Sequence, residues 1–256
     1  MEILVLMKQT FDTEEKIVIR DGRVSDANVE FIINPYDEYA VEEAIKLKEE
    51  HGGEVTVLTV GPERTENALR TALAMGADKA VRIELGGLKT DAYVLANIIA
   101  AAVRSNPYEL ILGGYMAVDS GAGQVAVRVA EKLGIPHVSA ITKLTLDGGK
   151  AVVERDAEGD TEIIEIRTPF LATAQQGLNE PRYPSLPGIM KAKKKPMDIV
   201  TVDQLALEPD EIQAKTRVIE DFAPPKKQAG RRLEGDPGEQ VRELVRLLQT
   251  EAKIIS

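Results

Sequence analysis

The stretch EVTVLTVGPERTENALRTALAMGADKAVRIEL, residues 54–85, contains a complete strand–helix–strand unit. Residues 54–60 have the β-branched, apolar composition of a strand, and residues 79–85 have it again. Between them, Pro62 lies in the first turn of a helix, where its missing N–H costs nothing, and Gly76 follows the last turn. Two strands joined by a helix in this way lie parallel in one sheet.

The same alternation of strands and helices continues on both sides of this unit. Further elements are predicted as a strand at 2–8, a hairpin at 16–25, helices at 34–53 and 91–105, a strand at 108–114 and a helix at 123–135. On the first helix, Glu42 and Lys46 are spaced to pair at i,i+4. The order predicts an α/β fold with a doubly wound, mainly parallel sheet and helices on both faces.

The pattern changes after residue 138. Polar and apolar residues alternate from 138 to 168 around two glycine-containing turns, which predicts antiparallel strands added to the sheet. Residues 170–174, FLATA, then read as a buried strand.

The chain is expected to divide into two parts. Residues 1–195 are predicted to form the α/β domain, and residues 196–256 a C-terminal arm that is rich in proline and acidic residues. The arm closes with an amphipathic helix at 237–255. Such an arm either embraces a partner chain or packs on its own domain.

Composition excludes several classes of function. The net charge of −10 over 256 residues argues against nucleic acid as the main partner. No apolar run approaches the roughly 18 residues that a membrane span requires. Cysteine is absent and histidine occurs only twice, so no metal site and no cysteine nucleophile are expected. The N-terminus has no basic leader, and together with the missing cysteines this predicts a cytoplasmic protein.

The segments that follow three predicted strands are candidates for a binding site. They are residues 7–9, residues 60–62 and the stretch GGYMAVDSGAGQV at 113–125. In open α/β sheets, ligands bind beyond the carboxyl ends of the strands. The glycine-rich stretch ends at the start of a helix, where free N–H groups favour an anion, so a nucleotide phosphate near Gly121 to Val125 is one interpretation. A glycine-rich turn without a ligand is the other.

No motif for nucleotide chemistry accompanies this stretch. G-x-G-x-x-G does not follow the first strand, and G-x-x-x-x-G-K-[ST] does not occur. No acid, base and nucleophile come together in any recognised pattern, so no catalytic residue is predicted. These observations favour a protein that holds a nucleotide without reacting it.

An irregular segment, QQGLNEPRYPSLPGIMKAKKKP, occupies residues 175–196, and we call residues 175–195 the proline-rich loop. It contains an isolated leucine, Leu186, and four lysines within five residues. Its segment GLNEPRYPSLPGIMKAKKKP, together with NPYDEYAVEEAIKLKE at 34–49 and RTALAMGADKA at 70–80, resembles the β subunit of electron-transfer flavoproteins. The resemblance extends over nearly the whole chain.

The resemblance implies a heterodimer whose α subunit carries most contacts to FAD. Acyl-CoA dehydrogenases and related flavin dehydrogenases would supply electrons, and a quinone oxidoreductase or another acceptor would receive them. The β subunit of this family holds a structural AMP in an adenine-nucleotide-hydrolase-like fold. Transferred residue by residue, the AMP site comprises Leu6, Asn34, Pro35, Tyr36, Asp37, Val60, Gly114, Tyr115, Met116, Ala117, Val118, Asp119, Ser120, Gly121, Ala122, Gly123, Gln124 and Val125.

The same resemblance assigns the proline-rich loop to partner docking. Its docking residues would be Leu186, Tyr183, Pro187, Ile189, Met190, Lys191 and Lys194. Lys191, Lys193, Lys194 and Lys195 would either steer an acidic partner or only solvate the end of a strand.

Two alternatives accompany this interpretation. Bifurcating members of the family hold a second FAD where AMP is usually bound. A hydrolase-like enzyme of the same fold is the other alternative, although the reactive motifs are missing. The sequence also departs from animal-type relatives: Thr13 stands where they have a tyrosine near the flavin, and Asp156 stands in place of a glutamate.

Overall fold

The computed structural model describes residues 1–27, 29–227 and 229–255. Its elements are β1 (Glu2–Leu6), β2 (Gln9–Phe11), β3 (Ile19–Arg20), β4 (Arg23–Val24), β5 (Phe31–Ile33), α1 (Pro35–His51), β6 (Glu54–Val60), α2 (Glu66–Met75), β7 (Lys79–Glu84), α3 (Ala92–Val103), β8 (Leu110–Gly114), α4 (Val125–Leu133), β9 (His137–Asp147), β10 (Lys150–Ala157), β11 (Asp160–Arg167), β12 (Phe170–Ala174), α5 (Leu186–Ala192), β13 (Met197–Thr201) and α6 (Pro237–Thr250).

A nine-stranded sheet lies at the centre of the fold, in the order β11-β10-β9-β12-β8-β1-β6-β7-β13. From β9 to β13 along this order, neighbouring strands run parallel. Beyond β9, β10 and β11 continue the sheet as antiparallel strands. The predicted mainly parallel α/β sheet with an antiparallel extension is therefore confirmed.

Helices cover both faces of the sheet because alternate strand residues point to opposite sides. In β1, Ile3 and Val5 belong to the core cluster that contains the buried residues of α1 and α2. Leu4 and Leu6 belong to the second cluster, with the buried residues of α3 and α4. Within the described residues, no helix combines the length and the apolar character needed to cross a membrane.

One strand of the central sheet was not predicted from the sequence pattern. β13 extends the sheet in parallel register with β7, from Met197 opposite Ala80 to Thr201 opposite Glu84. By internal contacts, one unit contains Met1–Val18 and Val24–Ile219, and a second contains Ile19–Arg23 and the chain from Glu220 onward. The C-terminal unit thus begins later than residue 196, because residues 197–201 pair with the sheet.

The second unit contains α6, whose start is set by a capping box. The Asp236 side chain accepts a hydrogen bond from the Glu239 N–H at 3.0 Å, and the Glu239 carboxylate accepts one from the Asp236 N–H at 3.1 Å. Val241, Leu244 and Val245 are exposed along one side of this helix. That this surface packs on a partner subunit stays a prediction.

The proline-rich loop is less irregular than its sequence suggests. Ser185 caps a short helix, α5, by accepting a hydrogen bond from the Gly188 N–H at 3.1 Å. Gly188 lies so close to α2 that a Cβ atom on it would stand 2.4 Å from the carbonyl oxygen of Ala74. The Arg70 guanidinium of α2 also donates to the carbonyl oxygen of Ala192 at 2.7 Å. The second half of the loop is therefore packed tightly on α2.

Replacing Gly188 with alanine should lower the free energy of unfolding by about 1–3 kcal/mol, although alanine is the better helix former. The added Cβ would push α5 away from the Ala74 carbonyl oxygen. Urea unfolding of the full chain measures the change. Gly230→Ala is the matched control, because a Cβ there meets no atom of the described residues within 4 Å. A Gly188→Ala variant more stable than the parent would contradict this expectation.

Candidate functional site

The predicted nucleotide site lies at the carboxyl ends of three neighbouring strands. β8, β1 and β6 are adjacent in the sheet and end at Gly114, Leu6 and Val60. From β1 the chain builds the sheet toward β6 and β7, and then returns to the other side of β1 to form β8. Such a reversal of direction opens a crevice at the strand ends, which is where open α/β sheets bind ligands. We call this region the crevice.

One buried carboxylate joins two of these strand ends. Asp37 lies in the first turn of α1, and its carboxylate accepts hydrogen bonds from the N–H of Lys8, at 2.6 Å, and of Gly114, at 2.8 Å. Because Lys8 follows β1 and Gly114 ends β8, the start of α1 is held against both strands. Burial raises the pKa of Asp37 to about 7, and the two backbone hydrogen bonds act in the opposite direction.

The buried side chain of Asn34 holds the beginning of the glycine-rich stretch. Its amide nitrogen donates to the carbonyl oxygen of Met116 at 2.9 Å, and its amide oxygen accepts from the N–H of Val118 at 3.0 Å. Pro35 is the first residue of α1, and Asn34 precedes it in an extended conformation (φ −53°, ψ 125°). The sequence Asn-Pro-Tyr-Asp therefore fixes both the helix start and the loop that faces it.

The backbone of the stretch 113–125 favours glycine at several positions, among them Gly114 and Gly121. A Cβ on Gly114 would stand 2.4 Å from a carboxylate oxygen of Asp37. Gly121 has φ +61° and open space around it, so the backbone there is accessible to a ligand. The N–H of Gly121 donates to the carbonyl oxygen of Ala117 at 2.8 Å, which closes a tight turn. Residues 118–122 are exposed at the surface.

An ion pair joins the segment after β1 to the glycine-rich stretch at the crevice. The Lys8 ammonium lies 2.6 and 2.7 Å from the two carboxylate oxygens of Asp119. Beside it, the rings of Tyr36 and Tyr115 meet edge to face with their centroids 4.6 Å apart. The pair therefore ties the residue after β1 to the glycine-rich stretch, and its two charges compensate each other.

The structure brings together most of the residues predicted for nucleotide binding. Hydrogen bonds of Asn34 and Asp37 connect the segment 34–37 to the segment 114–118. Leu6 is buried in the core that faces α3 and α4, and Val60 lies on the far side of β1 from Gly114. Gln124 and Val125 lie at the start of α4.

Sequence reasoning missed the buried arginine that supports the end of β6. Arg82 donates to the carboxylate of Glu66 at 3.0 Å and to the carbonyl oxygen of Gly61 at 3.3 Å. The arginine in the middle of the predicted strand KAVRIEL, residues 79–85, could have revealed this contact. It indicates a buried ionic contact, since a lone charge inside a sheet is costly.

The predicted docking residues form an exposed apolar group on the proline-rich loop. Tyr183 is 94% exposed, Leu186 80% and Met190 66%, and Ile189 is also exposed. Lys191, Lys193 and Lys194 are exposed beside them. Lys195 is not available for steering a partner, because its ammonium donates to the carbonyl oxygens of Leu73 and Ala77 at the end of α2.

The predicted pair between Glu42 and Lys46 is wrong. The Lys46 ammonium lies 3.5 Å from Glu43 instead, and Glu42 accepts hydrogen bonds from Arg182 of the proline-rich loop. The planar guanidinium of Arg182 offers several donors to the buried carboxylate of Glu42, whereas the exposed Lys46 has only a single ammonium group.

Comparison with known proteins agrees with this geometry. Residues 21–205 match the family model described as the electron transfer flavoprotein domain. The electron transfer flavoprotein subunit beta of Bacillus subtilis is 55% identical over 257 residues, covering all of both chains. The subunit of the same name from Syntrophomonas wolfei is 43% identical over 93% of this chain and 91% of its own. The acryloyl-CoA reductase electron transfer subunit gamma of Anaerotignum propionicum is 38% identical over 96% of this chain and 97% of its own.

Replacing Asp37 with asparagine should destabilise the protein by about 1–3 kcal/mol. An amide has one acceptor oxygen for two backbone donors, so the N–H of Lys8 or of Gly114 would face an NH₂ group. Urea unfolding of the full chain measures the loss. Asp119→Asn is the control, because it removes an exposed ion pair and should cost no more than about 1 kcal/mol.

The difference in the free energy of unfolding between the parent and Asp37→Asn should change with pH, and the raised pKa of Asp37 sets the sign of the change. The folded-state pKa of Asp37 lies above its ordinary value of 3.8, so between 3.8 and about 7 the folded protein binds more protons than the unfolded chain. The stability of the parent should therefore fall, relative to that of Asp37→Asn, as the pH rises through this window. A difference that stays constant with pH would count against the raised pKa.

Proposed function

The chain belongs to the electron transfer flavoprotein family as a β subunit, and we propose that it is the nucleotide-holding and docking half of a heterodimeric electron carrier. This family consists of electron carriers, and its β subunit acts with an α subunit. In our proposal the crevice holds a structural AMP, and FAD is bound mainly by the α subunit. A cytoplasmic location stays a prediction of the sequence.

The partners are part of the same proposal. Acyl-CoA dehydrogenases or related flavin dehydrogenases would donate electrons to the heterodimer, and a quinone oxidoreductase or another acceptor would receive them. The relative named acryloyl-CoA reductase electron transfer subunit gamma supports a partner with acyl-CoA chemistry.

The observation that carries the AMP proposal is the glycine-rich stretch held by Asn34 and Asp37. Its exposed backbone at Gly121 and the start of α4 suit a phosphate, because the first N–H groups of a helix are free to bind an anion. AMP would supply no chemistry there, and its role would be to fill and stabilise the crevice.

The observation that carries the docking proposal is the exposure of Leu186 on a short helix, α5, that is tied to α2. A leucine that becomes fully buried in an apolar pocket contributes about 1.5–3 kcal/mol to association. α5 is fixed on α2, so presenting this side chain requires little further ordering. A modest, preorganised contact suits a carrier that must bind a donor and then leave it.

Nucleotides released by denaturing the purified heterodimer test the cofactor proposal. We expect one FAD and one AMP per heterodimer, separated and quantified by chromatography. Two FAD and no AMP would identify the bifurcating alternative. ATP hydrolysis by the purified protein would support the hydrolase alternative.

Replacing Leu186 with alanine should lower kcat/KM for reduction of the heterodimer by an acyl-CoA dehydrogenase about 10- to 100-fold, because most of the buried leucine surface is lost. FAD and AMP contents should equal those of the parent. Ile199→Ala is the control, since Ile199 is 51% exposed on β13, outside the loop. Equal rates for the Leu186 variant and the parent would refute the docking role.

A further inference from the structure

A forked ionic contact holds the first half of the proline-rich loop on α1. The Arg182 guanidinium donates to the Glu42 carboxylate through Nε at 2.9 Å and Nη2 at 3.0 Å. It donates to the Glu49 carboxylate through Nη1 at 2.6 Å and Nη2 at 2.9 Å. The backbone N–H of Arg182 also donates to Glu42, at 3.1 Å. We call this contact the arginine clamp.

The clamp is built into the fold. Glu42 is only 4% exposed, so its charge needs a partner that stays in place. Glu42 and Glu49 are seven residues apart on α1, which places both carboxylates on one face of the helix, two turns apart. A planar guanidinium reaches both carboxylates at once, and the single ammonium of a lysine cannot reproduce these paired contacts.

A second contact near the clamp, made by Asn179, also holds the first half of the loop on α1. The side-chain amide of Asn179 donates to the carbonyl oxygen of Tyr39 at 3.0 Å and to the Glu43 carboxylate at 2.9 Å. The first half of the loop is thus tied to α1, whereas Arg70 and Lys195 tie its second half to α2. Leu186 lies between these two attachments and is 80% exposed.

From this arrangement we propose that Arg182 is a positioning residue that fixes the conformation in which Leu186 is presented. The inference rests on the docking role proposed above and identifies the contact that holds residues 179–185, the segment that leads into Leu186, before binding. Without the clamp, residues 179–185 would sample more conformations, and each encounter with a dehydrogenase would have to order them. Docking would weaken, while electron transfer in the docked complex would be unchanged.

A purely structural role for Arg182 predicts a different outcome, so the variants must separate the two roles. Arg182→Gln leaves the buried charge of Glu42 unpaired, which can destabilise the whole protein. The double variant Glu42→Gln with Arg182→Gln removes that charge together with the clamp. Ile98→Val, a fully buried change on α3, serves as a control for loss of stability alone.

The experiment uses the heterodimer, co-expressed and loaded with flavin, and an acyl-CoA dehydrogenase reduced by its acyl-CoA substrate. For the double variant we expect KM for the heterodimer to rise about 5- to 20-fold while kcat stays within about twofold. Adding Leu186→Ala to the double variant should raise KM no further than Leu186→Ala alone, because both changes remove the same contact. A variant with Arg182→Lys should resemble the double variant.

Hydrogen exchange of the Gly188 and Ile189 backbone amides, which both bond to Ser185 at the end of the segment that the clamp holds, gives a readout that does not depend on docking. We expect exchange in the double variant to be at least about tenfold faster there than in the parent, and unchanged in Ile98→Val. Unchanged exchange, an unchanged KM or effects that add to those of Leu186→Ala would each overturn the proposal. If Leu186→Ala alone leaves KM unchanged, the docking role itself fails, and faster exchange would then show a clamp that serves stability only.

Discussion

The buried carboxylate of Asp37 is the interaction on which the crevice depends. By accepting the N–H groups that follow β1 and end β8, it holds the first turn of α1 against the sheet at the point where the chain changes direction. The same helix carries Glu42 and Glu49, which hold the proline-rich loop. This helix therefore contributes to the position of both candidate functional surfaces, through the buried carboxylates of Asp37 and Glu42, which would be costly to leave unpaired.

The sequence predicts the central part of the fold well because strong periodicity and burial agree there. β6, with its β-branched run, begins at residue 54 and ends at residue 60, as predicted. The bounds of the flanking helices differ from the predicted ones by a few residues. β2 and β5 were missed because strands of three residues contain too few alternations to distinguish them from loops. β13 was counted with the C-terminal arm, whereas residues 197–201 hold their place by pairing with β7, which the local pattern does not indicate.

Side-chain contacts were harder to predict than elements. The glycine-rich stretch was recognisable from its composition, but its attachment to Asn34 joins residues more than eighty positions apart, and nothing in the local pattern indicates that pairing. Glu42 shows the opposite error. A local rule assigned it to Lys46, whereas its burial selects Arg182, 140 residues away, whose guanidinium supplies several donors at once.

The two surfaces use different kinds of contact, and the difference fits an electron carrier. Around the crevice, buried polar groups are paired with the backbone, so opening it would leave donors and acceptors unsatisfied at a cost of about 1–3 kcal/mol each. Such a site suits a nucleotide that stays bound. The proposed docking surface instead offers a few exposed apolar side chains on a rigid support, whose burial would provide a modest free energy without rearrangement of the loop. A contact of that strength forms without a large ordering cost and still dissociates, as a protein that visits a donor and then an acceptor requires.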